Sequence, residues 1–261
     1  MNILEKIIDK KRIEIAQQKE AVSDRHLIMM INDKLGVSFK EALCKSNTGI
    51  IAEFKRRSPS KGWIFEQARA DMVVPDYEAM GAAAVSVLTD QTFFCGSLND
   101  LKIVRSLVGL PLLRKDFIID EYQLLQAKAF GADVVLLIAS ALTVKRTKEL
   151  ATEAKSLGLE VLLEIHTESE LEYLMDEIDV VGINNRNLST FETDVQVSFT
   201  LGALIPDNFV KISESGISEP KVVMQLREAG FKGFLMGENF MKTDNPGKAL
   251  GKFIQELRVE S

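Results

Sequence analysis

Polar, charged and glycine residues recur in this sequence directly after short apolar runs, where the strands of a sheet would end. The residues that share this position are Glu53, Lys55, Lys115, Asp116, Glu164, Asn184, Asn185, Arg186, Glu214, Ser215, Gly216, Gly237 and Glu238. A buried ammonium or carboxylate costs on the order of several kcal/mol unless it is paired, so any one of them could be a structural ion pair or a cap. Two lysines and two glutamates in one cleft instead predict proton transfer, because burial and mutual attraction tune the pKa values of both residue types.

Eight short apolar runs, including those that precede these residues, recur at regular intervals along the chain. Their centres lie near Ile51, Val85, Leu112, Val135, Leu162, Val181, Val210 and Leu235. The seven steps from the first run to the last average about 26 residues, close to the length of a strand plus a returning helix. The runs are rich in Val, Ile and Leu and mostly lack polar alternation, which is typical of parallel strands buried on both faces. Helical patterns over residues 120–132, 143–158 and 218–230 lie between the runs.

Eight strand–helix units in about 250 residues match the (β/α)8 barrel, or TIM barrel, in number and size. A doubly wound sheet is the alternative, but no G-x-G-x-x-G motif follows the first strand. We therefore predict an α/β protein, a (β/α)8 TIM barrel with an N-terminal helical extension. We expect a single domain over residues 1–261, with the extension at 1–47 and the barrel at 48–261. Catalytic residues of this fold lie at the C-terminal ends of the strands, so the polar residues above are expected in one mouth, with no such collection at the opposite end.

Composition, charge and cysteine content exclude several classes of protein. Hydrophobic residues make up 46% and charged residues 27% of the chain, as in ordinary globular domains. A net charge of −6 argues against nucleic acid or an anionic membrane as a partner, and the apolar runs are too short to span a bilayer. Cys44 and Cys95 form neither a disulfide framework nor a usual metal cluster, and neither His26 nor His166 is expected to be catalytic or to bind a metal. The first 20 residues predict a charged amphipathic helix rather than a signal peptide, so we predict a cytoplasmic location.

Two turns and two loops are further candidates for substrate binding. The SESGI turn at 213–217 and the LMGEN turn at 235–239 each lead into a helix and expose backbone N–H groups that suit a phosphate. Phe93 and Phe94, after the second strand, are either loop anchors or part of a wall for an aromatic group. The Arg56–Arg57 pair is expected on a solvated face of the first loop.

Six segments of the chain closely resemble, in the same order, signature segments of the indole-3-glycerol phosphate synthase family. They are IAEFKRRSPSKGWI (51–64), LLRKDFIID (112–120), LLEIHTESEL (162–171), GINNRNL (182–188), ISESGI (212–217) and FLMGENFM (234–241). The likeness covers essentially the whole chain, including the N-terminal extension that this family adds before its barrel. It implies a carboxy-lyase of tryptophan biosynthesis that needs no cofactor or metal. The implied reaction closes a ring in 1-(2-carboxyphenylamino)-1-deoxy-D-ribulose 5-phosphate and releases indole-3-glycerol phosphate, carbon dioxide and water.

The resemblance also implies roles for the charged residues at the ends of the first, third and fifth strands. Lys115 is similar to the family's general acid, which helps the C2 oxygen of the substrate to leave. Glu164 resembles the partner that exchanges protons during dehydration and steadies charge at the reacting centre. Lys55 is similar to the lysine that meets the substrate carboxylate, and Glu53 is similar to the glutamate that holds the hydroxyl groups and orients the lysines.

The remaining implied roles concern the sixth to eighth strands and the loops. Asn184 is similar to a catalytic residue that touches the reacting region, and Glu214 to a catalytic glutamate that forms hydrogen bonds. The implied substrate-binding residues are Ser58, Phe94, Phe117, Arg186, Leu188, Ser215, Gly216, Gly237 and Glu238. Phosphate is expected against Ser58, Gly216, Gly237 and the residue that follows. Since Glu238 stands where some family members carry a phosphate-binding serine, only its backbone N–H is expected to contribute.

Two alternative functions are weighed against this one. Phosphoribosylanthranilate isomerase, another barrel that acts on a phosphosugar, uses a Cys/Asp pair, whereas the first strand here ends in Glu-x-Lys without a cysteine. A catalytically silent phosphate-binding barrel that serves a partner protein would have lost its acid or base, but the four charged residues named above are all present. We therefore expect a small-molecule phosphosugar substrate, no nucleic-acid or membrane partner, and a monomer.

Overall fold

A closed barrel of eight parallel strands forms the centre of the computed structural model, which describes residues 3–31, 36–188 and 190–259. The strands are β1 (Ile50–Phe54), β2 (Ala84–Leu88), β3 (Leu112–Lys115), β4 (Val134–Ile138), β5 (Glu160–Ile165), β6 (Val180–Asn184), β7 (Val210–Glu214) and β8 (Gly233–Met236). Each strand pairs with its neighbours in sequence, and β1 also pairs with β8, which closes the barrel. The eight predicted strands and the TIM-barrel fold class are therefore confirmed.

Helices precede the barrel and follow most of its strands. They are α1 (Ile3–Ala21), α2 (Asp24–Met30), α3 (Phe39–Lys45), α4 (Ala70–Ala79), α5 (Gln91–Phe94), α6 (Leu98–Arg105), α7 (Glu121–Ala129), α8 (Val144–Ser156), α9 (Gln196–Gly202), α10 (Pro220–Glu228), α11 (Glu238–Met241) and α12 (Pro246–Val259). The helices predicted from the sequence correspond to α7, α8 and α10. Between β5 and β6 the chain forms a 3₁₀ helix over Glu168–Tyr173 instead of an α-helix. None of the helices in the described part of the chain is long and apolar enough to cross a membrane.

Side chains alternate along each strand between the interior of the barrel and the layer beneath the helices. The apolar part of the interior includes Ile51, Leu113, Leu136, Leu162, Ile212 and Leu235, which form one buried cluster with Phe39 and Leu43 of α3. Helix α3 therefore closes the N-terminal end of the barrel. In four of these six strands the next interior position, two residues further along, carries a charged side chain, namely Glu53, Lys115, Glu164 and Glu214. The period of two thus places the charged residues directly above an apolar floor.

The N-terminal extension packs against the barrel at both ends. Helix α1 lies at the C-terminal mouth, where Ile3, Leu4 and Ile7 line the cleft described below. Further along α1, Ile15 packs with Leu27 of α2 and with Tyr122 of α7. The Tyr122 hydroxyl donates to the carbonyls of Gln18 and Val22, at 3.0 and 2.8 Å, at the C-terminal end of α1. The extension is therefore fastened by both apolar and polar contacts.

Carboxylates also lie at the N-terminal ends of two strands, where no collection of polar residues like that of the mouth was expected. Asp133 accepts hydrogen bonds from the backbone N–H groups of Val37 and Leu112, at 2.9 and 2.8 Å. Glu160 accepts one from the backbone N–H of Lys40, also at 2.9 Å. Because backbone donors satisfy these carboxylates, they hold α3 and the neighbouring loops against the barrel floor.

Candidate active site

The six residues predicted for catalysis and the nine predicted for binding all line one cleft at the C-terminal end of the barrel. They are Glu53, Lys55, Lys115, Glu164, Asn184 and Glu214, with Ser58, Phe94, Phe117, Arg186, Leu188, Ser215, Gly216, Gly237 and Glu238. The cleft also contains residues that were not predicted, among them Ile3, Leu4 and Ile7 of α1 and Ser60 of the first loop. Among the residues that the structure describes, no three His, Cys, Asp or Glu side chains are grouped so that they could hold a metal ion.

Lys115 lies at the centre of the charged residues in this cleft. Its ammonium group forms ion pairs with Glu164 Oε2, at 3.1 Å, and with Glu214. Lys55 forms a second pair, with its Nζ 2.6 Å from Glu53 Oε1. The three carboxylates are buried and the lysines are almost so, which strengthens every electrostatic interaction among them.

The geometry of this cluster separates the pKa values of its members. Burial alone would lower the pKa of Lys115, but the carboxylates of Glu214 and Glu164 outweigh it and raise that pKa, so the ammonium form persists at neutral pH. Burial alone would raise the pKa of Glu164, but attraction by Lys115 outweighs it and lowers that pKa. For Glu214, burial dominates over Lys115, and repulsion by Glu164 helps to raise the pKa to about 7. The cluster combines a cationic acid, an ionised carboxylate and a carboxyl group that titrates near neutrality, a combination suited to acid–base catalysis.

Two glycines make room for the buried carboxylates. A Cβ atom on Gly182 of β6 would lie 2.5 Å from Glu214 Oε1, and one on Gly237 would lie 2.5 Å from Glu53 Oε1. Any side chain at either position would therefore push a carboxylate out of place. Gly182 was not predicted as a site residue, although a glycine inside an apolar strand run is a recognised sign of close approach by another group.

The turn after β7 has the tight backbone expected of a phosphate-binding segment. Ser215 and Gly216 both have left-handed backbone angles, with φ of 69° and 75°. The Asn185 side chain holds this turn by donating to the carbonyl of Ser215 and to Ser213 Oγ, at 3.0 Å in each case. The turn after β8 leads directly into α11, whereas α10 begins only at Pro220, so the two turns differ in how they meet their helices.

The first loop folds into a small antiparallel hairpin that carries Ser58 and contacts the far side of the mouth. Residues 57–58 pair with residues 62–63 in this hairpin. Arg186 Nη1 donates to Ser60 Oγ at 3.0 Å. The Glu238 carboxylate lies 3.6 Å from Lys61 Nζ and 3.9 Å from Arg186 Nη2. Side chains from the loops after β1, β6 and β8 therefore form one polar network above the turns.

Arg56 does not lie on a solvated face, so that prediction was wrong. Its guanidinium donates to both carboxylate oxygens of Asp100, at 2.6 and 2.9 Å, and to the carbonyl of Ala68, at 2.8 Å. A bidentate pair of this kind is geometrically specific as well as strong. It fastens the loop after β1 to α6, and so fixes the segment directly after Lys55.

The other end of the cleft is apolar. The rings of Phe94 and Phe117 lie with their centroids 6.2 Å apart and an interplanar angle of 37°. Of the two phenylalanines after the second strand, Phe94 lines the cleft, which favours the wall interpretation over the loop anchor. Ile3, Leu4 and Ile7 complete this end from α1. Their spacing puts them on one face of the helix, so the amphipathic pattern contained a signal that could have identified them.

A second buried charge cluster lies beside the cleft under α1, and it was not predicted. Lys11 Nζ lies 2.8 Å from Asp90 Oδ2 and 2.9 Å from Asp116 Oδ1. Asp116 Oδ2 accepts hydrogen bonds from Thr89 and Arg114, at 2.6 and 3.0 Å. The signal was a lysine on the apolar face of an amphipathic helix, since α1 buries Lys11 together with isoleucines.

The chain is similar along almost its whole length to proteins of one enzyme family. A sequence model of indole-3-glycerol phosphate synthase matches residues 4–253. The indole-3-glycerol phosphate synthase of Bacteroides thetaiotaomicron is 56% identical over 258 residues, which are 98% of this chain and 99% of that protein. The protein of the same name from Magnetococcus marinus is 40% identical and covers 97% of this chain and 98% of its own length.

Solved structures share the fold at much lower sequence identity. The 3-hexulose-6-phosphate synthase of Salmonella typhimurium matches with a TM-score of 0.62 at 16% identity, over 82% of this chain and 100% of that chain. The tryptophan synthase alpha subunit of Legionella pneumophila matches with a TM-score of 0.61 at 13% identity, over 85% and 97%. These structures show the fold alone, whereas the sequence matches show the family. The resemblance found in the motifs is thus confirmed, and the chain belongs to the indole-3-glycerol phosphate synthase family, the carboxy-lyases of tryptophan biosynthesis.

Proposed function

We propose that the cleft performs the family reaction with the residues that line it. The reaction is ring closure of 1-(2-carboxyphenylamino)-1-deoxy-D-ribulose 5-phosphate to indole-3-glycerol phosphate, with loss of carbon dioxide and water. The observation that carries the assignment is the position of Lys115 between Glu164 and Glu214, in a cleft with an aromatic wall and tight glycine turns. Family membership supports the reaction, and the geometry supports the allocation of residues.

The aromatic wall and the turns are proposed to hold the two ends of the substrate. The carboxyphenyl ring packs against Phe94 and Phe117, and the phosphate lies against Ser58 and the turns after β7 and β8. Ring closure requires an aromatic carbon to attack a carbonyl carbon, which is slow in water. Holding both reacting groups in the attack geometry can lower the barrier by roughly 7–11 kcal/mol in well-oriented cases.

Lys115 is proposed to be the general acid. As the new carbon–carbon bond forms at C2, its ammonium group protonates the C2 oxygen and stabilises the negative charge that develops there. Loss of carbon dioxide then returns an electron pair to the ring. Lys115, reprotonated from solvent, gives the C2 hydroxyl a second proton, and the hydroxyl leaves as water. Glu164 accepts the proton that the new five-membered ring releases, so that the indole becomes aromatic. One proton is taken up per turnover, because decarboxylation removes one negative charge.

The neighbouring residues are proposed to orient these two groups and the substrate. Lys55 meets the substrate carboxylate, and its pair with Glu53 at 2.6 Å fixes the direction of its ammonium group. Asn184 hydrogen-bonds to Glu164, which helps to lower the pKa of that carboxyl after the larger effect of Lys115. The Asn184 amide is itself fixed because its Oδ1 accepts the backbone N–H of Arg186 at 3.0 Å.

A continuous assay tests this function directly. The substrate is added to the purified chain with and without a chelator, and the rise of indole fluorescence is followed. We expect turnover that resists the chelator. No signal from well-folded protein would favour the catalytically silent phosphate-binding barrel, and binding of the same substrate would then be measured.

The Glu164→Gln variant tests the role of the proposed proton acceptor. It keeps the size of the side chain but removes the basic oxygen, so kcat should fall by about 10²- to 10⁴-fold with a much smaller change in KM. The matched control is Glu168→Gln, an exposed glutamate on the nearby 3₁₀ helix, which should keep wild-type kinetics. A rise in KM at unchanged kcat would assign Glu164 to substrate binding instead.

We further propose that residues 1–261 act as one domain, as a monomer, in the cytoplasm. The contacts of α1 and α3 with both ends of the barrel support the single domain, because the extension completes the apolar end of the cleft. Sedimentation velocity at assay concentrations is expected to give the mass of one chain. A dimer that stays intact on dilution would contradict the monomer.

A further inference from the structure

His166 lies just after β5, beside the charged cluster. It is close to Oε1 of Glu164, whereas Lys115 contacts the other oxygen, Oε2. Its Nε2 lies 3.4 Å from Glu164 Oε1, while Lys115 Nζ lies 3.1 Å from Glu164 Oε2. Its Nδ1 lies 3.7 Å from Glu170 Oε2, on the 3₁₀ helix. The imidazole therefore bridges the proposed proton acceptor and a second carboxylate outside the cleft.

The imidazole is largely buried, and one of its two neighbouring carboxylates is fixed by backbone hydrogen bonds. Glu170 Oε2 accepts the backbone N–H groups of His166 and Thr167, at 2.5 and 3.2 Å, which holds that carboxylate in place. The His166 side chain is 11% exposed, and both ring nitrogens are buried. Neither nitrogen has a hydrogen-bond partner among the residues that the structure describes, so the two carboxylates are the groups that its position offers.

The charges around His166 favour the protonated imidazole. Burial alone would lower its pKa, but the carboxylates of Glu170 and Glu164 outweigh burial, with a further contribution from Glu214, and raise the pKa above its usual value. The effect is mutual, because the positive charge of His166 helps Lys115 to lower the pKa of Glu164.

We infer that protonated His166 is a positioning residue for Glu164. It attracts one carboxylate oxygen while Lys115 attracts the other, so the carboxylate is held from both sides and stays ionised at the start of each turnover. The inference rests on the proposed role of Glu164 as proton acceptor. Glu170 serves as the fixed counter-charge that keeps the imidazole protonated and keeps its Nε2 directed at Glu164.

The bridge can be tested without any turnover, by proton NMR titration of the imidazole C2–H signals. The chain has two histidines, His26 and His166, so the His166→Gln variant assigns both signals. We expect His166 to titrate above its usual value of about 6.5. Glu164→Gln and Glu170→Gln should each lower its pKa by about one to two units, because each removes an adjacent negative charge.

The control for this titration is Glu168→Gln, which makes the same charge change on the same 3₁₀ helix at an exposed position. It should leave the His166 signal almost unchanged. A His166 that titrates at or below its usual value would overturn the inference. So would a titration that does not respond to Glu164→Gln.

The effect on catalysis is tested by the pH profile of His166→Gln, a variant that retains an N–H donor but has no charge. Loss of the positive charge should raise the pKa of Glu164, so the acid limb of kcat should move up by about one to two pH units. Poorer positioning should also lower kcat at pH 7 by about tenfold, with little change in KM. Circular dichroism at each pH shows whether a loss of activity is caused by unfolding of the protein or by titration of Glu164.

The outcomes separate this inference from the proposed function. An active wild type whose acid limb does not move in His166→Gln would overturn the positioning role while leaving the function intact. A wild type that forms no product at any pH would contradict the proposed function, and the NMR titration would still decide whether the bridge exists. Rescue of the acid limb by His166→Lys, which restores a positive charge, would support the role of charge over that of shape.

Discussion

Two buried charge clusters meet at the end of β3 and differ in how completely their charges are satisfied. In the cluster under α1, each oxygen of Asp116 has two partners, including Lys11 at 2.9 Å and Thr89 at 2.6 Å. The attraction of Lys11 outweighs burial there and holds the pKa of Asp116 far below its usual range. In the cleft, Glu214 Oε1 has no hydrogen-bond partner among the described residues, and burial raises the pKa of that carboxyl to about 7.

The difference separates charges that hold the fold from charges that are available to a substrate. Lys115 and Asp116 are consecutive residues, yet their side chains belong to different clusters. A carboxylate whose hydrogen-bonding capacity is used by the protein has nothing left for a ligand. A buried carboxyl with an unpaired oxygen at the surface of a cleft is costly for the fold, and a bound substrate can satisfy it.

The largest expected effect is on catalysis, from Lys115→Ala. Removal of the proposed general acid should lower kcat by about 10²- to 10⁴-fold. The barrel should stay folded because the apolar floor is untouched, but with lower stability because Glu164 and Glu214 lose their cation. Turnover and the thermal midpoint Tm are measured together. Lys145→Ala, at a position 88% exposed on α8, is the matched control and should retain full activity. Full activity in Lys115→Ala would remove Lys115 from the mechanism and end the distinction between the two clusters.

The charged residues of the cleft could be predicted from the sequence, but the pairing of Lys11 with the carboxylates under α1 could not. Lys115 and Glu164 end apolar runs, and the period of two in a parallel strand directs them into the barrel. Lys11 lies in a charged helix far from Asp90 and Asp116 in the sequence, so its pairing depends on how α1 docks. The position of His166 beside Glu164 depends in the same way on the direction of its side chain after the strand ends. Strand periodicity specifies which face of the sheet a side chain occupies. The docking of a helix, and the direction of a side chain beyond the end of a strand, depend on tertiary packing instead.

The next effect is on stability, from Lys11→Met. Methionine keeps the length of the side chain but leaves Asp90 buried without a cation and Asp116 with Arg114 as its remaining cation, so the free energy of unfolding should fall by about 3–5 kcal/mol. The control is Arg12→Met on the same helix, where the pair with Asp9 is exposed and should change stability by about 1 kcal/mol at most. Urea unfolding measures both variants. If Lys11→Met abolished turnover without loss of stability, the cluster under α1 would belong to the chemistry instead.

A smaller effect is expected from Gly182→Ala, which tests whether the cleft depends on the position of Glu214. The new Cβ atom would lie 2.5 Å from Glu214 Oε1, so the carboxyl must leave its present position beside Lys115. We expect kcat to fall by about 10- to 100-fold, because displacement of a catalytic group by about 1 Å has an effect of that order. Gly109→Ala is the control, since Gly109 is exposed and its nearest neighbour is a flexible glutamate side chain at 3.5 Å. Unchanged kcat in Gly182→Ala would show that the Glu214 carboxyl can shift without consequence.

The smallest effect, on Tm, should have opposite signs in the two clusters. A carboxyl whose pKa is raised in the folded state keeps its proton after the unfolded chain has lost it, so stability declines as the pH rises from about 4.5 to about 7. Glu214→Gln abolishes that decline, and its Tm should gain about 2–4 °C or more on the wild type between pH 4.5 and pH 8. Asp116 has the lowered pKa, which contributes stability that is complete above about pH 4 and is lost in acid. Asp116→Asn should therefore have a lower Tm than the wild type by a constant amount between pH 4.5 and pH 8, and this deficit should shrink as the pH falls below about 4. Glu228→Gln, at an exposed position, should show a constant difference from the wild type. A Tm difference for Glu214→Gln that stays flat with pH would mean that the Glu214 carboxyl is as well satisfied as that of Asp116, and the two clusters would then differ only in their contact with the substrate.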